Sequence, residues 1–159
     1  MPPRRAARIS AGLLMFRRRG GALEVFLAHP GGPFFAHRDA GAWSIPKGEI
    51  EGDDDPIDTA RREFTEETGL AVAGELLPLG QVRQKSGKLV HAWAFEGDWD
   101  GRPIVSNSFA LEWPAGSGRM REFPEIDQAR FFELQDARRR INPAQAAFLD
   151  TLLALLGGR

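Results

Sequence analysis

GEIEGDDDPIDTARREFTEETGL, running from Gly48 to Leu70, is the most informative run in this chain. Asp55-Pro56 starts a helix: an Asp side chain accepts from the free N–H groups of a first turn, and Pro at the first helical position gives up no bond. Gly69 is the matching stop, suited to the left-handed residue that follows a helix. Between them Ile57, Ala60 and Phe64 recur at helical spacing and read as the core face. At about 100° per residue, with Glu63 at zero, Glu67 falls at about 40° and Glu66 at about −60°, so three carboxylates share a face adjoining the apolar one.

That placement is electrostatically unfavourable twice over. At roughly 6 Å and an effective dielectric near 20, each pair of neighbouring carboxylates repels by about 2 to 3 kcal/mol when partly buried. The cluster also occupies the last turns of its helix, where the dipole favours cations and each anion costs about 0.3 to 1 kcal/mol. A divalent cation relieves both. Oxygen-only donors and a chain without cysteine point to Mg²⁺ or Mn²⁺ rather than zinc. The three histidines, His29, His37 and His91, are dispersed. Arg62, four residues before Glu66, is placed to hold it through a charge-assisted hydrogen bond.

Outward from the helix, Ile9–Phe16 and Glu24–His29 read as paired strands around a hairpin loop at Arg17-Arg18-Arg19-Gly20-Gly21. Leu76–Val82 and Leu89–Phe95 read as further strands, the second alternating Val90, Ala92, Ala94 against His91, Trp93, Phe95. Glu96–Glu125, rich in Gly, Pro and Trp, reads as an extended loop with at most one short element. Ala129–Leu134 is a strand, a short helix follows to about Ile141, and Asn142-Pro143 starts a last helix with Ala144, Ala147, Phe148, Leu152 and Leu155 inward. The reading is a flexible tail over residues 1–8 and one domain over 9–157, of α/β (α+β) class.

Composition narrows the function. With 42% apolar residues in 159, the chain can bury a core. Its 21 basic and 22 acidic side chains nearly cancel, so no overall field draws it to a nucleic-acid polymer or an anionic membrane. No apolar run approaches the roughly 20 residues of a membrane span, and the lack of cysteine suits a reducing cytoplasm. Any anionic ligand has to be held locally.

Gly48, Arg62, Glu63, Glu66, Glu67 and Gly69, with apolar Phe64 and Leu70, resemble the Nudix box: Gly, Glu six residues on, then Arg-Glu-apolar-x-Glu-Glu-x-Gly-apolar. One position departs, since Asp54 stands where the family has its first Glu. The order of strands and helices also looks like the family's, over Ile9–Leu155. The resemblance, which is to MutT-like and dinucleoside-polyphosphate-hydrolase members, implies an α/β/α sandwich with a mixed β-sheet between helices. It implies that Glu63, Glu66 and Glu67 bind Mg²⁺, with Gly48 turning the chain so that its carbonyl joins the metal shell. The implied activity is Mg²⁺-dependent hydrolysis of a diphosphate linkage in a nucleoside-diphosphate derivative.

Family members differ in their general base. A box glutamate such as Glu63, aided by Arg62, serves in some; in others a later loop acid does. Glu125, six residues before Phe131, is the favoured loop candidate, with Glu122 and Glu112 as rivals. Pro46-Lys47-Gly48 resembles the dinucleoside-polyphosphate and diphosphoinositol branches, which makes Lys47 a candidate for a distal phosphate. Trp43, with Trp93, Trp99 and Trp113, is a candidate surface for base stacking. The expected partner is a small nucleotide, and monomer and homodimer both stay open. Two other readings share the fold: a nucleotide sensor without turnover, against which the intact box argues, and an isopentenyl-diphosphate-type isomerase, which would be expected to use a cysteine.

Overall fold

The computed structural model describes residues 8–157; residues 1–7, most of the expected tail, lie outside the described residues. The Arg8 carbonyl accepts the Leu89 N–H at 2.9 Å.

Strands β1 (Ile9–Arg19), β2 (Ala22–Pro30), β3 (Lys47–Glu49), β4 (Leu77–Arg83), β5 (Leu89–Glu96) and β8 (Ile126–Glu133) form one mixed sheet. Its order is β4-β5-β1-β2-β8, with β3 on the N-terminal part of β1. Only β1 and β5 run parallel; the other pairs are antiparallel. Helix α1 (Pro56–Thr68) covers one face; α2 (Leu134–Arg140) and α3 (Ala146–Leu155) cover the other.

Strand alternation explains the two layers. Leu13, Met15 and Phe26 point to α1, where Ala60 and Phe64 complete the packing. Leu14, Phe16, Val25 and Leu27 point the opposite way, against Ala137, Phe148, Leu149 and Leu152. Phe64 is fully buried, its ring 5.2 Å from that of Phe95 at 86° and 6.1 Å from that of Phe26. Burial of one such ring contributes about 1.5 to 3 kcal/mol, which fixes the rotation of α1 and so the direction of its carboxylates.

The helix ends behave as the sequence indicates. Asp55 accepts from the Ile57 N–H at 2.9 Å, and Gly69 closes the helix at φ 75°. Elsewhere the expectations need correction. Arg17–Arg19 belong to β1, because Gly20 and Gly21, both at positive φ, make the turn by themselves. The segment read as an extended loop contains a separate hairpin, β6 (Ser108–Glu112) and β7 (Met120–Pro124), pairing Phe109 with Phe123. β8 begins at Ile126, earlier than expected. Asn142-Pro143 opens a short 3-10 turn, Pro143–Gln145, before α3, and this changes the inner face: Leu149 is buried, whereas Ala147 and Leu155 are exposed. Ile57 is half-buried, and Thr59 and Thr68 fill the helix's inner face beside Ala60 and Phe64. Among the described residues, no helix is long and apolar enough to cross a membrane.

Candidate active site

α1 lies against β3, and at this contact Gly48 faces Glu63. A methyl group on Gly48 would overlap the Glu63 carboxyl carbon and lie 2.5 Å from its Cγ. Gly48 sits in a strand, paired with Ala11, and is not among the positive-φ glycines. What this position demands is therefore space for a carboxylate rather than the turn expected from the sequence. Glu63 is half-buried, and burial, followed by the charge of Glu66, raises its pKa, partly offset by Arg62.

Arg62 stands among three carboxylates, at 3.7 Å from Asp54, 3.8 Å from Glu63 and 3.8 Å from Glu66. These are ion pairs longer than hydrogen bonds, so Arg62 neutralises the cluster broadly where a directed bond to Glu66 was expected. Being half exposed, each contributes about 0 to 1 kcal/mol. Asp54, the departure from the box, thus keeps a contact to Arg62.

Glu67 is the more enclosed carboxylate. It accepts the Lys47 backbone N–H at 3.1 Å. Burial pushes its pKa up to about 8; the Lys47 charge and N–H pull it down, and Glu63 and Glu125 add to the rise. Burial, then Lys88, lowers the pKa of Lys47 against the pull of Glu67, Glu49 and Glu125. Desolvation thus drives both groups toward their neutral forms.

A cavity of about 240 Å³ joins these groups: Lys47, Glu67, Lys88 and Glu125 line it with Pro30 and Ile126. Glu125 is fixed by its backbone, its N–H donating to the Asn107 carbonyl at 2.7 Å and its carbonyl accepting from the Gly31 N–H at 3.0 Å. Neither rival lines this cavity. Glu112 accepts the Gly118 N–H at 3.2 Å inside the hairpin, and Glu122 is exposed on β7. A larger cavity, about 690 Å³, lies beyond the end of α1 among Arg19, Asp98, Trp99 and Arg102; none of the α1 carboxylates lines it, whereas Glu67 lines the smaller one.

Trp43 does not serve base stacking. It is 2% exposed, packs on Phe132 at 4.9 Å, and donates Nε1–H to Asp39 at 2.7 Å. Its aromatic surface is consumed by the core. Lys88 closes the Gln84–Lys88 turn between β4 and β5, where a lysine carries no signal in the sequence beyond its charge.

The donor set around α1 is entirely hard oxygen, which fits Mg²⁺ or Mn²⁺. Among the described residues no three His, Asp or Glu side chains are grouped so that they could hold a metal ion as they stand. Arg62 and the Lys47 N–H are the partners these carboxylates have instead.

The description NUDIX domain belongs to the family model that matches residues 6–152. Similar solved structures include an Ap4A hydrolase of C. elegans in a binary complex, at 20% identity over 94% of this chain and 99% of that chain, TM-score 0.66. The NUDIX domain of Shewanella oneidensis NrtR complexed with ADP ribose matches at 15% identity over 96% and 90%, TM-score 0.64. The MutT protein from Methanosarcina mazei Go1 matches at 19% identity over 98% and 99%, TM-score 0.59. At such identities the structures share a fold with this chain.

Proposed function

The chain belongs to the NUDIX family of pyrophosphohydrolases, and on that premise we propose that it is a Mg²⁺-dependent enzyme cleaving a diphosphate linkage in a nucleoside-diphosphate derivative: a nucleoside triphosphate, a dinucleoside polyphosphate or a nucleotide sugar. Glu63, Glu66, Glu67 and the Gly48 carbonyl would hold the ion, and Mn²⁺ suits the same donors. When bound, the cation supplies charge neutralisation for the phosphoryl oxygens.

The chain's own residues do the rest. Lys47 and Lys88 meet phosphate oxygens as point charges from opposite segments of the cavity. Arg62 restrains Glu63 and Glu66, limiting the freedom of two donors that would otherwise repel. Glu125 takes a proton from the attacking water as its oxygen bonds to phosphorus; the bridging P–O bond breaks, and the departing phosphate oxygen keeps the electron pair. The observation carrying this reading is that one cavity gathers Glu67, Glu125, Lys47 and Lys88 beside the carboxylate face of α1.

The test is Mg²⁺-dependent release of nucleoside monophosphate or phosphate from a panel of dinucleoside polyphosphates, nucleoside triphosphates and nucleotide sugars. Glu67→Gln should abolish most of the turnover while the thermal midpoint does not fall. Full activity in that variant overturns the metal assignment, and tight nucleotide binding without turnover in the wild type favours the sensor reading.

A further inference from the structure

Gln145 is fully buried although its side chain is polar, and it lies in the 3-10 turn before α3, remote in sequence from the cavity. Its Oε1 accepts the Ile45 backbone N–H at 3.1 Å. Its Nε2 donates to Ser44 Oγ at 3.0 Å and to Gln84 Oε1 at 3.0 Å. The orientation is forced, since the Ile45 N–H is a donor and only the amide oxygen can face it. Ser44-Ile45 leads directly into Pro46-Lys47, whose Pro46 carbonyl accepts from Leu13 and whose Lys47 N–H reaches Glu67. Gln84 closes the turn that carries Lys88, its N–H donating to the Lys88 carbonyl at 2.8 Å. One amide therefore bridges the two segments that bring a lysine to the cavity.

We propose that Gln145 is a positioning residue that fixes the spacing of Lys47 and Lys88 across the cavity, through hydrogen bonds to Ile45, Ser44 and Gln84. The inference rests on the reading above, in which that cavity receives the substrate's phosphates. Gln145 touches no substrate. Its effect passes through the Ile45 N–H and the Ser44 and Gln84 side chains, and because Gln145 is fully buried, an apolar side chain there would leave the buried Ile45 N–H without this acceptor.

The test compares Gln145→Leu with Leu149→Ala, a fully buried apolar position of the adjoining helix α3. Gln145→Leu should raise KM for Mg²⁺–ADP-ribose or Mg²⁺–Ap4A at least about fivefold while kcat changes less. It should also speed amide exchange at Ile45, Lys47 and Gln84. Leu149→Ala, even with an equal loss of thermal midpoint, should leave KM and those amides unmoved relative to the rest of the chain. Gln84→Leu should release the Gln84 amide alone and add little to Gln145→Leu. If Gln145→Leu and Leu149→Ala give the same KM and the same exchange pattern, Gln145 is a packing residue and the proposal fails. A wild type that turns over no nucleotide defeats the proposed function, and the exchange comparison still decides this one.

Discussion

Replacing Gly48 by alanine tests how the site is held. The added methyl would stand 2.5 Å from Glu63 Cγ and overlap the carboxyl carbon, whereas unstrained carbon contacts need about 3.5 to 4.0 Å. Something must move by about 1 Å or more. β3 is tied to Ser10, Ala11 and Gly12 of β1, and α1 is anchored by fully buried Ala60 and Phe64. The Glu63 side chain is the element free to swing, and it swings away from Gly48. A displacement of about 1 Å at a catalytic group costs on the order of 100-fold, so kcat/KM should fall by about 10- to 100-fold, or about 1.4 to 2.8 kcal/mol. Steady-state Mg²⁺-dependent hydrolysis reads this, with thermal melts to show that the fold persists. The double variant with Glu63→Ala removes the group that clashes, so it should be no worse than Glu63→Ala alone. Wild-type kcat/KM in Gly48→Ala, or strictly additive losses in the pair, would refute the reasoning.

Other outcomes follow from the same geometry. Glu67, with its pKa raised from 4.5 to about 8, is largely protonated at neutral pH without metal, so Mg²⁺ uptake near pH 7 should release close to one proton, measurable in a pH-stat and absent in Glu67→Gln. The sign for stability follows from proton counts: between about 4.5 and 8 the folded state binds more protons here than the unfolded chain. This group therefore makes the metal-free fold less stable as pH rises through that window, and the slope should flatten in Glu67→Gln. Phe64→Ala should cost about 3 to 5 kcal/mol in denaturant melts, because α1 loses its main anchor. Trp43→Phe should leave KM for nucleotides within about twofold, as expected for a ring committed to the core; a large rise in KM would restore it to the substrate.

What the sequence made legible is what is locally encoded. Asp55, Pro56 and Gly69 delimit α1 by chemistry within a few residues, and the spacing of Glu63, Glu66 and Glu67 places them on one face. Gly48 was recognisable as necessary, but the reason was not: the Glu63 carboxylate fills the space a side chain would need, and that contact spans two elements. Lys88 and Gln145 reach the site through strand order and tertiary packing, which no local pattern records. Trp43 misled because an aromatic ring serves a core and a base equally well until its burial is known. The β6–β7 hairpin was hidden by Pro114, Gly116 and Gly118, whose turn chemistry resembles that of a plain loop.

In the proposed function, hard cations are held by the carboxylates that crowd the end of α1. Calorimetric titration of Mg²⁺ and Mn²⁺, with and without a non-hydrolysable nucleotide, addresses this most directly. The wild type should take up metal at millimolar or lower concentration, and Glu63→Gln with Glu67→Gln together should abolish it. Absence of uptake in the wild type, or undiminished uptake in the double variant, would contradict it.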